Sequence, residues 1–303
     1  MKQKREDTLR KRLEKVKERK EKREKQSQSN LSALDESILL VNILPNTLGV
    51  IVPFRNRSKH IRPFITHMTK YLSDKGIPHQ FWVINQTDAF RFNRGKLFNI
   101  GVKYASYAGF LLYKFMVQTL NILFFTLGCD YFALHDIDLL PDNPNLDYGK
   151  PVKTGVYHVS RPGLHPLYRH SKFLGGIITI TKEAFISVNG FSNDYWGWGR
   201  EDDDFRERIR SKKIKVDRPP LLSTGTKKTF INLHLKEDIR DKSKTEEQNR
   251  YAKQHFPERG FNDTSLSETC FWEKSLAGIV YFVVDAKLSC DAKTTPWCLP
   301  LST

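Results

Sequence analysis

The sequence predicts an α/β fold with a Rossmann-like, mostly parallel central sheet flanked by helices. Short apolar runs alternate with segments whose apolar residues recur at helical spacing. Several of these runs end in polar loops, as the buried strands of α/β proteins do. Hydrophobic residues make up 39% of the 303 residues, which is enough for a substantial core. Ligands of such folds bind at the carboxyl ends of the strands.

The N-terminal segment differs from the rest of the chain in composition. Residues 1–26 hold 13 Lys or Arg and 6 Asp or Glu. Their net charge of +7 is nearly half of the +16 of the whole chain. Because only Leu9, Leu13 and Val16 are aliphatic there, a helix in this segment would be solvated. We expect residues 1–36 to be a flexible charged spacer and residues 37–303 to be the folded domain. A basic arm for RNA or anionic lipid is the alternative.

The first four elements follow from periodicity. The apolar run 48–56 predicts a buried strand, and 79–86 predicts a second one. Apolar residues at helical spacing predict a helix over 58–74. A second helix is predicted over 92–105 by the same reasoning.

The later elements are predicted in the same way. Residues 131–141 (YFALHDIDLLP) are predicted as a third strand that runs into a pair of carboxylates. Residues 173–181 (FLGGIITIT) are predicted as a fourth strand, followed by a helix from 182.

An apolar segment interrupts this alternation. Residues 108–127 contain a single charge, Lys114, and are long enough to be considered as a membrane span. Gln118 and Asn121 argue against a span, and so does the position between two segments that we expect to form one site. We expect a buried or partly exposed helical insertion. A translated intron is a further alternative.

A pair of carboxylates follows the third strand. Asp136 and Asp138 alternate in His135-Asp136-Ile137-Asp138, so on a strand they would lie on the same face. Their mutual repulsion is removed by a divalent cation such as Mn²⁺ or Mg²⁺, which prefers oxygen ligands. A chance acidic turn is the alternative.

The segment 195–205 (YWGWGREDDDF) combines aromatic and acidic residues. Tryptophan faces bind sugar rings, and glycines let a ligand approach the backbone. Carboxylates beside such a platform favour general-base chemistry on a sugar hydroxyl. Helix capping explains one or two of the acids, because acids favour helix N-termini.

Two further patterns contribute candidate ligands. The clusters 53–57 (PFRNR) and 92–96 (FNRGK) place an aromatic residue beside arginines after a predicted strand, which favours a bound nucleotide over ordinary surface arginines. In 230–234, a predicted strand, Asn232 and His234 alternate on one face and could complete a metal shell with Asp138. By itself, His234 is more typical of a satisfied polar residue. None of the four cysteines forms a CxxC pair, which excludes the usual thiolate zinc sites.

Together these motifs resemble the animal β-1,4-galactosyltransferases. The resemblance rests on PFRNR, FNRGK, HDIDLLP, FLGGI, YWGWGREDDDF and the ending CDAKTTPWC, and it covers residues 48–260 apart from 108–127, returning at 290–298. Arg200 within WGWGRED, together with LDYG and LHPLY, is most similar to the branch that galactosylates xylose on proteoglycan core proteins.

The resemblance implies a GT-A type fold, a Mn²⁺ cofactor and UDP-galactose as donor. It implies an inverting transfer to O4 of xylose on a xylosylated proteoglycan core protein, in glycosaminoglycan linker synthesis. Asp202 matches the catalytic base. Metal ligands are Asp138 and His234, with Asn232 as a third candidate. Donor contacts are Pro53, Phe54, Arg55, Arg57, Phe92, Arg94, Asp136, Trp198 and Glu201. Acceptor contacts are Tyr168, His170, Trp198, Asp202 and Asp203.

The chain departs from this family at three positions. Asn232 stands where the xylose branch usually has histidine, so we expect weaker or shifted metal affinity. Phe173 replaces a frequent tyrosine and loses its hydroxyl. His170 stands where an aromatic acceptor contact is expected.

The family also implies a compartment. Its members are type II membrane proteins of the Golgi lumen, and their N-terminal anchor is not seen in this chain. In the family ending, Cys290 and Cys298 correspond to a disulfide, with free thiols as the alternative. Sequons at Asn30, Asn56, Asn85 and Asn262 permit glycosylation.

Three other functions compete with this interpretation. The same enzyme class could act on N-acetylglucosamine. A basic RNA-binding module would use the charged arm and the Phe/Arg clusters, although we expect no nucleic acid partner. A catalytically impaired sugar-binding relative would follow from Asn232.

Overall fold

The computed structural model describes residues 46–116, 128–234, 238, 240–243 and 245–300. Contacts divide the chain into two units, Met1–Ile43 with Leu112–Phe125, and Leu44–Leu111 with Thr126–Thr303. Of the first unit, the described part is the end of a helix at 112–116. The second unit contains all the strands described below. The predicted boundary between residues 36 and 37 lies outside the described residues and stays a prediction.

The described chain contains nine strands and five α-helices. The strands are β1 (Leu48–Phe54), β2 (His79–Gln86), β3 (Tyr131–His135), β4 (Leu139–Pro141), β5 (Val156–His158), β6 (Ile177–Thr181), β7 (Phe230–Asn232), β8 (Thr269–Leu276) and β9 (Ile279–Ala286). The helices are α1 (Ser58–Ser73), α2 (Arg94–Met116), α3 (Lys182–Ser187), α4 (Glu201–Ser211) and α5 (Glu246–Gln254). A 3₁₀ turn follows at Pro296–Cys298.

Seven strands form the central sheet in the order β5-β6-β3-β1-β2-β9-β8. Its centre is parallel, because β1 pairs with β2 and β3 and β2 pairs with β9 in the same direction. The outer pairings β3–β6, β5–β6 and β8–β9 are antiparallel. Strands β4 and β7 form a separate antiparallel pair. The α/β prediction with a Rossmann-like sheet is confirmed, and the carboxyl ends of β1, β2 and β3 meet at one edge.

The sheet is covered on both faces, which explains why β1 is buried along its whole length. On one face, Ile51 and Ile84 pack with the α2 residues Leu97 and Phe98. On the other, Val50 packs in a cluster with the α1 residues Phe64, Ile65, Met68 and Leu72. Alternate residues of one strand therefore join two different cores.

Three predicted elements differ from the structure. The single strand over 131–141 is wrong, because Asp136–Asp138 forms a turn between β3 and β4 in which the Leu139 N–H lies 3.4 Å from the Asp136 carbonyl. Strand β6 begins only at Ile177, after the two glycines. Strand β7 ends at Asn232, so His234 lies beyond the strand rather than on its face.

The apolar segment 108–127 is partly described. Helix α2 continues from the predicted helix over 92–105 to Met116, so the segment begins as helix. Residues 117–127 lie outside the described residues, and the expectation for them stays open. Among the described residues, we find no helix with the length and apolar character needed to cross a bilayer.

Gly101→Ala should destabilise the fold, although alanine is the better helix former. An added Cβ would contact Ile51 and come within 2.9 Å of Ile84 Cγ1, where α2 lies against the sheet. Overpacking of this kind costs about 1–3 kcal/mol, more than the ~1 kcal/mol of helix propensity gained. Chemical denaturation measures the change. Gly149→Ala, which faces only a flexible Asp147 side chain, is the control. An unchanged free energy of unfolding for Gly101→Ala would contradict the packing described here.

Candidate active site

A cleft of about 630 Å³ lies at the carboxyl edge of the parallel strands. The loop after β1, the start of α2 and the turn after β3 form its floor, and the start of α4 forms one wall. The sequence-predicted residues that line it are Pro53, Arg55, Arg57, Phe92, Arg94, Asp136, Asp138, Tyr168, His170, Trp198, Glu201, Asp202 and Asp203.

Three predicted residues do not line this cleft. Phe54 is only 9% exposed and packs in the core on the α1 face, so its side chain is not part of the cleft lining, and its role as a donor contact stays a prediction. Asn232 and His234 are also outside the lining, but His234 reaches Asp138, which does line the cleft.

Arg94 connects the two acidic segments of the cleft. Its Nε and Nη2 lie 2.9 and 2.6 Å from Asp136 Oδ1, and its Nη1 lies 3.5 Å from Glu201 Oε1. Burial alone would lower the pKa of Arg94, but the charges of Asp136, Glu201 and Asp202 raise it above its usual value. The guanidinium is therefore charged, and it links the turn after β3 to the first residue of α4.

Asp202 is a cleft carboxylate whose acidity is altered by its surroundings. Burial, followed by the neighbouring charge of Glu201, raises the pKa of Asp202 to about 7, and Arg94 opposes this shift. A Cβ at Gly175 would lie 2.8 Å from Asp202 Oδ2, so the chain passes close to this carboxylate. A cleft carboxylate with a pKa near neutrality is suited to accept a proton from a bound hydroxyl.

The four acids of 201–204 all lie in the first turn of α4. Acids in the first turn stabilise a helix by interacting with its dipole. The two interpretations of this segment, helix stabilisation and a role in the cleft, are therefore compatible. The fourth acid, Asp204, is buried and pairs with Arg208 at 2.6 Å, so it supports the helix rather than the cleft. The residue before the helix, Arg200, has φ of 82°, a conformation that is strained for a side-chain-bearing residue.

Asp138 and His234 form the candidate metal-binding pair. Asp138 Oδ2 lies 3.2 Å from His234 Nδ1, and Asp238 Oδ2 lies 3.9 Å from the same nitrogen. Burial and the charge of Arg240 lower the pKa of His234, which favours the neutral imidazole that a metal requires. A carboxylate and an imidazole fit Mn²⁺. Over the described ranges, no group of three or more His, Cys, Asp or Glu residues converges as a metal site.

The third candidate ligand, Asn232, is oriented differently from the expectation. Its Oδ1 accepts a hydrogen bond from the His234 backbone N–H at 3.1 Å. The amide therefore orders the chain leading to His234.

Aromatic side chains line another part of the cleft. The Trp198 ring is 40% exposed and lies 6.4 Å from the Tyr168 ring, which lies 4.8 Å from Phe173. Trp196 is 2% exposed and packs in the core, so only Trp198 of the two predicted platforms faces the cleft. The alternating Trp-Gly pattern did not distinguish them.

Sequence reasoning missed the segment after β7. Asp238, Arg240 and Asp241 line the cleft. Asp238 forms an ion pair with Arg57, and Arg240 Nη1 donates to the Tyr168 hydroxyl at 3.0 Å. The only signal in the sequence was a charged stretch after His234, with no spacing that indicates a site.

The C-terminal cysteines are joined near this region. Cys290 and Cys298 form a disulfide with a Cα–Cα distance of 5.9 Å. Cys129 is a buried free thiol and Cys270 an exposed one.

Two family descriptions match the chain. The N-terminal region of glycosyl transferase group 7 matches residues 42–149. The family described as the N-terminal domain of galactosyltransferase matches residues 156–234.

Individual relatives are similar over most of the chain. β-1,4-Galactosyltransferase 7 of Homo sapiens is 38% identical over 259 residues, covering 84% of this chain and 71% of that protein. The protein of the same name from Drosophila melanogaster is 36% identical over 252 residues, covering 83% and 72%. Xylosylprotein 4-β-galactosyltransferase of Caenorhabditis elegans is 35% identical over 254 residues, covering 83% and 81%.

Two solved structures are also similar to this chain. The catalytic domain of Drosophila β-1,4-galactosyltransferase 7 in complex with xylobiose has a TM-score of 0.73 and 35% identity, covering 84% of this chain and 98% of that chain. A mutant of that enzyme in complex with manganese, UDP-Gal and xylobiose has the same TM-score and identity and covers 84% and 99%.

Asp202→Asn should stabilise the protein more at about pH 8 than at about pH 5. Burial makes Asp202 harder to ionise in the folded protein than in the unfolded chain, and its folded-state pKa is raised to about 7. The free energy of unfolding of the wild type therefore falls as the pH rises from about 4 to about 7. The neutral amide avoids this loss. Melting temperatures of both proteins at the two pH values measure the effect. Asp142→Asn, an exposed carboxylate outside the cleft, is the control. The same difference in melting temperature at both pH values would contradict the perturbed acidity of Asp202.

Proposed function

The chain belongs to the β-1,4-galactosyltransferase family, and we propose that it transfers galactose from UDP-galactose to O4 of xylose on proteoglycan core proteins. The main support for this proposal is the set of side chains that the cleft brings together. The cleft places a carboxylate with a raised pKa, Asp202, together with the Asp138–His234 pair and the exposed Trp198 ring. A relative named xylosylprotein 4-β-galactosyltransferase matches 83% of the chain.

The donor occupies the side of the cleft lined by Arg55, Arg57, Phe92 and Arg94. Arg55 lies over the Phe92 ring at 5.3 Å and donates to the Phe90 carbonyl at 2.6 Å, so both side chains are held in place. An aromatic face beside guanidinium groups suits a nucleotide base and its phosphates. This supports nucleotide binding at the end of β1.

Mn²⁺ is the cofactor, and Asp138 and His234 are the residues that would hold it. When bound, Mn²⁺ supplies positive charge that stabilises the UDP leaving group. A solved relative, the Drosophila enzyme, is described in complex with manganese and UDP-Gal. Asn232 would orient His234 through its hydrogen bond to the backbone.

The acceptor occupies the aromatic side of the cleft. Its sugar ring lies against Trp198, with Tyr168, His170 and Asp203 around it. Asp202 takes the proton from the xylose O4 hydroxyl. The oxygen forms a bond to the galactose anomeric carbon while the bond from that carbon to the UDP oxygen breaks, and its electron pair leaves with UDP. Attack from the face opposite UDP inverts the anomeric centre.

We place this reaction in the Golgi lumen, as in the family. The Cys290–Cys298 disulfide supports an oxidising compartment. The relatives are glycosylation enzymes by name.

A transfer assay tests the proposed function. The protein is incubated with UDP-galactose, Mn²⁺ and a β-xyloside, and in parallel with a β-N-acetylglucosaminide. We expect a galactosylated xyloside whose linkage is β-1,4 by NMR, and at least about tenfold lower product from the glucosaminide, equivalent to ~1.4 kcal/mol. Efficient transfer to the glucosaminide alone would assign the other acceptor class. No transfer to either acceptor would contradict the proposed enzyme activity.

Asp138→Ala should abolish Mn²⁺-dependent UDP binding and activity, because it removes the carboxylate ligand of the pair. Calorimetric titration of UDP with and without Mn²⁺ measures the binding. Undiminished Mn²⁺-dependent binding in a folded variant would remove Asp138 from the metal site.

Asn232→His should lower the Mn²⁺ concentration needed for half-maximal activity, because an imidazole would add a ligand where the amide instead accepts the His234 N–H. The Mn²⁺ activation curve measures this. An unchanged curve would exclude position 232 from direct metal binding.

Asp202→Asn should lower kcat by about 10²-fold or more, the usual range for loss of a general base. UDP affinity should stay nearly unchanged, because the proton is transferred only in the transition state. Steady-state kinetics and UDP titration on the same folded variant separate the two effects. A kcat close to that of the wild type would contradict the assignment of Asp202 as the base.

A further inference from the structure

We infer that Arg91 is a positioning residue for acceptor binding, because it holds the segment 240–243 against the Trp198 loop. This inference rests on the proposed function for its kinetic consequences. It concerns a buried side chain that does not line the cleft, although the next residue in the chain, Phe92, does.

Arg91 is 4% exposed, and its guanidinium donates four hydrogen bonds. Nε lies 2.5 Å from Asp241 Oδ2 and Nη2 lies 3.1 Å from Asp241 Oδ1, which is a two-point ion pair. Nη2 also donates to the Ser243 carbonyl at 2.5 Å. Two residues of the 240–243 segment are therefore fixed by one buried cation.

The same side chain is anchored on the C-terminal turn. Arg91 Nη1 donates to the Trp297 carbonyl at 3.0 Å, and the Arg91 backbone N–H donates to the Cys298 carbonyl at 2.9 Å. Trp297 is buried, and Cys298 is tied to Cys290 by the disulfide. Arg91 thus joins the 240–243 segment to a covalently closed part of the chain.

The 240–243 segment also contacts Trp198, an aromatic residue of the proposed acceptor site. The Trp198 backbone N–H donates to the Asp241 carbonyl at 2.7 Å. Arg240 and Lys242 place their charges 5.8 and 5.7 Å from the Trp198 ring centre. Arg240 also contacts the Tyr168 hydroxyl. The orientation of Trp198 therefore depends on a segment that Arg91 holds.

Arginine is required at this position for a geometric reason. The planar fork of a guanidinium bonds a carboxylate at two points while its remaining N–H groups reach two carbonyls. A lysine ammonium is a single point of charge and cannot satisfy Asp241, Ser243 and Trp297 together. Gly197 also lies directly against this guanidinium, since any Cβ there would overlap it, so the site admits little rearrangement.

The test compares Arg91→Lys with Arg208→Lys. Arg208 is a matched control, because it is also a buried arginine that pairs with a carboxylate, Asp204, and donates to backbone carbonyls. Both changes should lower the melting temperature. Only Arg91→Lys should raise the KM for the xyloside, by about tenfold (~1.4 kcal/mol), while the KM for UDP-galactose stays within about twofold. Equal increases in both KM values, or an unchanged xyloside KM, would overturn the inference.

A second readout does not require activity. Trypsin cleaves after Arg240 and Lys242, both within the segment that Arg91 holds. In the folded proteins, Arg91→Lys should accelerate cleavage after these residues, as identified by mass spectrometry, and Arg208→Lys should not. Equal cleavage rates would overturn the inference even if the chain used another acceptor. The two proposals can fail separately. If Arg91→Lys is cleaved faster but the wild type does not galactosylate the xyloside, Arg91 still holds the 240–243 segment, and only the proposed function is contradicted.

If Arg91→Lys does not fold, Asp241→Asn provides the test. It removes the charge of the pair while keeping the size of the side chain. Its expected effects are in the same direction and smaller, with a several-fold rise in xyloside KM and faster cleavage after Arg240 or Lys242. A folded Asp241→Asn protein with wild-type values for both would overturn the inference.

Discussion

The ion pairs of Arg94 are the interaction on which the rest of the cleft depends. Asp136, Asp138, Glu201 and Asp202 all line one cleft of about 630 Å³, and without a cation their charges would repel each other. Arg94 contacts Asp136 on the turn after β3 and Glu201 at the start of α4. Breaking either pair would leave an uncompensated buried charge, which is costly, so both pairs stay formed. Arg94 therefore holds the turn after β3 and the start of α4 at a fixed separation.

This constraint also explains how neighbouring carboxylates acquire different chemistry. Asp136 and Glu201 are paired with Arg94, whereas for Asp202 burial and the Glu201 charge outweigh the opposing charge of Arg94 and raise its pKa. Asp138 lies beyond Arg94 and faces His234. The cleft and the residues at its edge thus bring together a charged pair, the proposed proton acceptor and the candidate metal-binding pair, as transfer from a nucleotide sugar to a hydroxyl requires.

The sequence predicted the elements whose periodicity is local. Strand β2 and helix α1 were found almost to the residue, because their apolar spacing is independent of the rest of the fold. The carboxylate motif was assigned to a strand because apolar residues flank it on both sides, and only the pairing of β4 with β7 reveals the turn. The choice between Trp196 and Trp198 and the contribution of Asp238, Arg240 and Asp241 depend on long-range contacts, to which the sequence has no local signal.

The proposed mechanism requires Asp202 to receive the proton of the acceptor hydroxyl. A crystal structure of Asp202→Asn with Mn²⁺, UDP-galactose and a xyloside tests it most directly, because this variant should hold both substrates without reaction. We expect xylose O4 to lie within about 2.6–3.2 Å of the side chain at position 202, with the sugar ring against Trp198. A xyloside bound with O4 directed away from position 202 and near another carboxylate would contradict it.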